Sequence, residues 1–185
     1  MLIENYNVYG FDEAIIASGF PMMKENINIK RAENLGNCSP GSGHDCYLKG
    51  IIVQADITAP QYWWLQWQRY HFCDIISSQS KMHKITKMDI DKQCSALVNT
   101  KAKENLEETI EAYNNNEIVF DVVLANVPMG LELKARITTN YLQLKTQYFQ
   151  RHNHRSRQWT TYCNWILNLP MFKELCLKEG DNYEK

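Results

Sequence analysis

The sequence has almost no net charge, no paired cysteine spacing, no phosphate-binding glycine motif and no long apolar run. Each absence removes a class of protein. A formal charge of −1 over 185 residues gives no overall pull on DNA, RNA or an anionic membrane, so neither nucleic acid nor membrane is expected as a partner. No run approaches the ~18 apolar residues of a membrane span. The opening MLIENYNVYG lacks a basic stretch followed by an apolar one, so no signal peptide is expected. The six cysteines (Cys38, Cys46, Cys73, Cys94, Cys163, Cys176) show no Cys-x-x-Cys spacing. They read as reduced thiols of a cytosolic protein. There is no Walker loop, no G-x-G-x-x-G and no G-x-S-x-G. His71, Cys73 and His83, and His152 with His154, are near neighbours without metal-ligand spacing, so no metal is expected.

What is present suits one globular domain, residues 1–185, with 44% hydrophobic and 22% charged residues. Five Trp and ten Tyr are many for this length, and aromatics favour interfaces, which leans toward an oligomer. Residues 2–9 read as an edge strand. Asp12 is a candidate cap for a helix at 13–18, closed by Gly19 and Pro21. Residues 24–47, with the cluster Ser39, Pro40, Gly41, Ser42, Gly43, read as a long loop. The alternation over 49–58 predicts a strand. Pro60 then opens a helix at 61–72, with Trp63, Trp67 and Tyr70 on one face and Trp64 beside them. The stretch 73–83 reads as short and polar.

A charged helix is expected over 97–114. Glu104, Glu107, Glu108 and Glu111 face outward; Leu97, Ala102, Leu106, Ile110 and Tyr113 face inward. An apolar run follows at 119–127, then an extended segment at 131–138. Thr139 or Asn140 caps a helix from 141 to about 151, and a last helix covers 157–168. The tail after 177 is expected to fray. Strands and helices do not alternate regularly, so the expected class is α+β.

Polar groups concentrate in three places. One is Gly43-His44-Asp45. The second is 66–83, where Arg69, His71, Ser77, Ser78, Ser80, Lys81 and His83 fall close together. Hydroxyls and backbone N–H groups in a turn can cradle phosphate oxygens, with Arg69 or Lys81 as the cation; a solvated loop explains the same residues. The third runs from Lys134 to Arg151, His152, His154, Arg155 and Arg157. It could be an RNA patch, or basic residues complementing a helix C-terminus. It lacks the repeated stripe and stacking aromatics of the former.

These segments resemble the flavin-dependent thymidylate synthases. That family carries Gln-x-x-Arg-His-Arg, seven further residues, then Ser-x-Arg. Here Gln66, Arg69, Tyr70 and His71 stand in the first motif; Gln79 falls on the Ser and Lys81 on the Arg, with Ser78 and Ser80 flanking. Gly43, His44, Asp45 and Cys46 run along the family's Gly-His-x-Ser-Pro-x-Glu-His segment, with Lys49 and Gly50 replacing its Glu-His. Val127-Pro128, Lys134, Asn140 and Gln150-Arg151 follow its later Leu-Pro, Arg, Asn and Leu-Arg positions without a gap.

The resemblance covers most of residues 40–160. It implies the family (ThyX-like) fold: a mixed, mostly antiparallel sheet packed with long helices. It also implies a homotetramer whose sites, shared between subunits, bind FAD and dUMP. Carried over by position, Lys81 and Lys134 stand where arginines grip the phosphate and Arg151 where one orients the uracil. Ser78, Gln79 and Ser80 stand beside Lys81, and His44, Arg69 and His71 in flavin-contacting positions. Arg to Lys keeps charge but loses the bidentate fork. Tyr70 for His and His71 for Arg weaken the cofactor half more than the phosphate half.

Two functions follow. One is a module that binds or sequesters a nucleotide or nucleotide-derived ligand without turnover. The other is an enzyme methylating dUMP with FAD and a folate one-carbon donor. The small size is compatible with a viral origin. A structural protein on a borrowed fold is the third reading.

Overall fold

A computed structural model describes residues 1–39 and 41–178. The chain runs β1 (Leu2–Tyr9), α1 (Phe11–Ala17), α2 (Ile29–Gly36), β2 (Ile52–Pro60), α3 (Gln61–Trp67), β3 (Asp74–Ser78), α4 (Lys81–Lys84), α5 (Ile90–Gln93), α6 (Thr100–Asn114), α7 (Phe120–Ala125), β4 (Glu132–Asn140), α8 (Tyr141–Arg151), α9 (Arg157–Leu167) and α10 (Phe172–Cys176). The class is α+β, and the strands form one sheet in the order β1-β2-β4-β3. Its three pairings are all antiparallel rather than mixed. The helices are short: the longest described, α6, has 15 residues.

Alternation sorts the sheet into two chemically distinct faces. Val53, Ala55, Ile57 and Ala59 of β2 and Ala135 and Ile137 of β4 are at most 2% exposed. They join Trp63, Trp67, Tyr141, Leu144, Trp159, Tyr162 and Phe172 in the main core. The opposite parity carries Gln54, Asp56 and Thr58 on β2, paired against Thr138, Arg136 and Lys134 on β4. A smaller core, with Ile85, Ile90, Leu106, Val123 and Leu131, holds α5 to α7 together.

Several boundaries differ from the sequence reading, each for a local reason. The stretch 24–47 contains a helix, α2, capped by the Asn28 side chain accepting from the Arg31 N–H at 2.9 Å. Helix α1 begins after Gly10, whose φ of 71° supplies the turn, and Asp12 lies inside the first turn instead of capping it. The predicted helix at 61–72 stops at Trp67. The chain then turns sharply through Phe72, at φ 53°, and β3 forms within the short, polar stretch 73–83. β3 carries a bulge between Ile75 and Ser77.

The charged helix starts at Thr100, capped by Asn99, which leaves Leu97 79% exposed rather than inward. The apolar run at 119–127 holds α7. Asn140 does cap α8, accepting from the Gln143 N–H at 2.9 Å. Leu177 is buried, and residues 179–185, on which the expectation of a frayed tail falls, lie outside the described residues.

The tryptophans of α3 are core. Trp63 lies 5.2 Å, ring to ring, from both Trp159 and Tyr162. The Trp67 Nε1–H donates to the Tyr162 hydroxyl at 3.0 Å. Burial first, then the neighbouring Cys73, raises the Tyr162 pKa well above its ordinary value. The phenol therefore stays neutral. Among the described residues all six cysteines are free thiols. Cys73 is pushed up to about 11, chiefly by burial, which removes it as a nucleophile near neutral pH.

Candidate functional site

β3 ends at Ser78, and the chain crosses Gln79 and Ser80 into α4, whose first residue is Lys81. This crossing is pinned to β4. Gln79 N–H donates to the Lys134 carbonyl and Lys134 N–H donates to Gln79 Oε1, both at 2.9 Å. Gln79 therefore acts as a strand clamp, and its oxygen also accepts from Gln93 at 3.1 Å. The Ser80 hydroxyl pairs with His83 Nδ1 at 2.9 Å, while Ser78 stays exposed.

The Lys81 ammonium donates to Gln61 Oε1, and Gln61 is itself held by donating to the Pro128 carbonyl at 3.0 Å. Lys81 and Ser78 line a cleft of about 190 Å³ between α3, β3 and β4. Its walls are Trp64, Leu65, Ile75, Met129, Leu133 and Ala135, with the amides of Gln61 and Gln68. A cation, a hydroxyl and two amides over apolar walls can take a flat ring with a polar or anionic substituent.

Lys134 faces the other way. Leu133 and Ala135 of β4 line the cleft, so Lys134, between them, projects from the opposite side of the sheet. There its ammonium lies 3.2 Å from Glu4 and 3.8 Å from Asp56. Arg136 joins the group at 3.2 Å from Asp56 and donates to the Asn5 carbonyl at 2.7 Å. Asn5 donates to Asp56 at 2.9 Å. That bond, followed by Arg136, holds the Asp56 carboxyl below its ordinary pKa. Two acids balance two bases, so Lys134 in the free chain is already paired.

Arg151 occupies a third place. Its Nε–H donates to the Tyr70 hydroxyl at 2.7 Å, and its guanidinium lies 4.7 Å from the Trp159 ring centroid. Gln61 at the start of α3 meets Lys81, whereas Tyr70, beyond its end, meets Arg151. Lys81 and Arg151 thus have different partners, one at the start of α3 and one beyond its end. Within one protomer Ser78, Ser80 and Lys81 lie together, Lys134 lies on the other face of the sheet, and Arg151 is held by Tyr70 and Trp159.

The residues in flavin positions, His44, Arg69 and His71, are exposed. They flank α8. Asp45, next to His44, is bonded to Lys145, and Tyr70, between Arg69 and His71, is bonded to Gln150 and Arg151.

The sequence reading missed the most buried ion pair of the site region. Lys145 is 1% exposed, and its three ammonium protons go to Gly36 O at 2.7 Å, Cys38 O at 2.8 Å and Asp45 Oδ2 at 2.7 Å. The three acceptors match the three donors of an ammonium. This lysine fastens the segment that leads into Gly43-His44 onto α8. No local signal announces it, because its partners lie 100 residues or more away. The cleft walls Leu65, Gln68 and Met129 were also unmarked.

The site sits on an α+β scaffold, a four-stranded antiparallel sheet with one face buried under helices. No family model matches the sequence, and no curated protein does. Solved structures do. Two crystal structures of the flavin-dependent thymidylate synthase ThyX from Helicobacter pylori, each with FAD and dUMP, superpose at a TM-score of 0.75. One is 14% identical and covers 96% of this chain and 100% of its own; the other is 12% identical, with 97% and 98% covered. The chain has the fold of the flavin-dependent thymidylate synthases in a widely divergent sequence.

Proposed function

We propose that this chain is a cytoplasmic, nucleotide-binding homo-oligomer, a tetramer, whose phosphate pocket is completed between subunits. Ser78, Gln79, Ser80 and Lys81 come from one protomer, and Lys134 and Arg151 from its neighbours. The observation that carries the reading is the Lys81 ammonium at an open, half-apolar cleft, on a fold whose solved examples hold dUMP. The direction of Lys134 supports the intersubunit form: it projects from the face of the sheet opposite the cleft, so a ligand at Lys81 would meet a neighbouring copy's Lys134. Lys134 would then exchange Glu4 and Asp56 for phosphate, and lysine offers one ammonium in place of an arginine fork.

The test is a thermal-shift panel of nucleoside mono- and diphosphates and cyclic nucleotides, with size-exclusion chromatography of the free protein. A ligand at ~100 times its Kd adds about 2.7 kcal/mol to stability. Lys81→Ala and Lys134→Ala are expected to lower the ligand-induced shift while leaving the unliganded melting temperature within a few degrees. A flat panel, or a monomer at all concentrations, overturns the reading.

The FAD in the similar structures favours a second reading: a dUMP-methylating enzyme with FAD and a folate donor. His44, Arg69 and His71 would hold the cofactor through its phosphates, and FAD would supply the hydride chemistry. A colourless protein that takes up no FAD on titration rules this out and leaves the binding module.

A further inference from the structure

Arg151 carries more structure than a phosphate contact requires, and Tyr70 supplies most of it. Tyr70 replaces a histidine in the motif shared with the thymidylate synthases, which taken alone looks like a loss. Its hydroxyl accepts from Arg151 Nε at 2.7 Å and donates to Gln150 Oε1 at 3.0 Å. Its ring lies 5.6 Å from the guanidinium carbon and meets Trp159 edge-on at 6.1 Å. Trp159 is fully buried and fixed in turn, because its Nε1–H donates to Gln66 Oε1 at 2.9 Å. The guanidinium is thus stacked on one aromatic and hydrogen-bonded by another, and both are anchored to the core.

What this leaves over is the terminal fork. Among the described residues neither Nη1 nor Nη2 of Arg151 has a hydrogen-bond or ion-pair partner, and the side chain is only half-buried. No acidic residue occurs between Glu132 and Glu174 to neutralise it in sequence. His154, 6.3 Å from Trp159, stays neutral near pH 7, because desolvation and then Arg151 and Arg155 lower its pKa. The fixed charges beside His154 are those of Arg151 and the exposed Arg155, and of the two only Arg151 is held by the aromatic residues. A guanidinium held by its Nε and one face, with two parallel N–H groups free, matches a two-oxygen anion.

We infer that Tyr70 is a positioning residue: it holds Arg151 by its Nε so that the Nη fork is presented to an oxyanion of the bound nucleotide. The inference rests on the nucleotide reading for the ligand's identity, but the positioning itself can be read without a nucleotide.

The experiment uses the full chain labelled with 15N-arginine, the variants Tyr70→Phe and Arg151→Gln, and their combination. In the parent, the Arg151 Nε–H is expected to exchange slowly with water and its signals to shift on adding inorganic phosphate. Tyr70→Phe keeps the ring and the stacking. It is expected to speed that exchange and to weaken phosphate and dUMP binding ~10-fold, as the loss of about 1.4 kcal/mol of orientation would. Deoxyuridine, which lacks the anion, is expected to bind the parent and Tyr70→Phe alike. In the double variant, Tyr70→Phe adds nothing to Arg151→Gln, since one acts through the other.

Arg151 signals indifferent to phosphate in the parent would overturn the inference. So would unchanged exchange in Tyr70→Phe, or losses that add in the double variant. Equal losses for dUMP and deoxyuridine would do the same. If the parent responds to phosphate at Arg151 but binds no nucleotide, the positioning stands and the nucleotide reading fails.

Discussion

Lys145→Met is expected to lower stability by ~3–5 kcal/mol, because it removes one partner of a fully buried ion pair and leaves the other charged. The residue left behind is Asp45, 2% exposed, and two backbone carbonyls, Gly36 O and Cys38 O, lose their donor as well. Methionine fills much the same volume, so the loss measures unpaired polarity and not a cavity. At roughly 2–4 °C per kcal/mol for a chain of this size, the melting temperature should fall by about 10 °C at fixed protein concentration.

Pairing Lys145→Met with Asp45→Leu should recover part of that loss, since an apolar pair no longer buries a lone charge. An unchanged melting temperature in the single variant would mean that the ammonium and carboxylate are not buried together. Because Lys145 ties residues 36–45 to α8, its loss should also free His44. Any effect on a ligand would then exceed what the melting temperature alone explains.

That lysine shows where the sequence stops being legible. Helix α8 itself was readable: Asn140 announces its start and the apolar spacing its inner face. Which of its polar residues points inward was not, because the acceptors for Lys145 come from a turn and a helix far back in the chain. α2 was readable in principle from Asn28 and the apolar Ile29 and Ala32, but the Ser-Pro-Gly cluster after it dominated that region. β3 was hidden because its bulge breaks the alternation and every residue of it but Ile75 is exposed. The strand exists through pairing with β4, a tertiary effect that local propensity does not carry.

The candidate site divides the same way. The polar run of 66–83 was visible, and so was the order Gln, Arg, Lys, Asn, Arg along the positions of the thymidylate-synthase motifs, with lysine in place of arginine. The direction of each side chain was not. Parity along β4 sends Lys134 toward Glu4 and Asp56, while Lys81 meets the start of α3 and Arg151 the tyrosine beyond its end. The first follows from the strand period once the register is known. Three cations that look like one pocket in sequence are three separate features of one protomer, which is why assembly is the decisive measurement for the proposed pocket.

Trp63→Ala is expected to cost ~3–5 kcal/mol, the range for truncating a large aromatic in a packed core. Trp63 is 0% exposed and contacts the rings of Trp64, Trp67, Trp159 and Tyr162. Its burial is complete within a single protomer, so the fold and any oligomer should be lost together on heating. An oligomer that dissociated first, with the monomer still folded, would place Trp63 at an interface instead. Its indole N–H has no hydrogen-bond partner among the described residues. Trp63→Phe should therefore lose less than the alanine variant, since it keeps most of the packing and removes an unsatisfied donor. Trp159 leans on Trp63 and carries Arg151, so the alanine variant should also loosen the Arg151 fork. A variant that melts lower yet binds phosphate as the parent does would show that Tyr70, and Trp159 held by Gln66, keep the fork in place without Trp63.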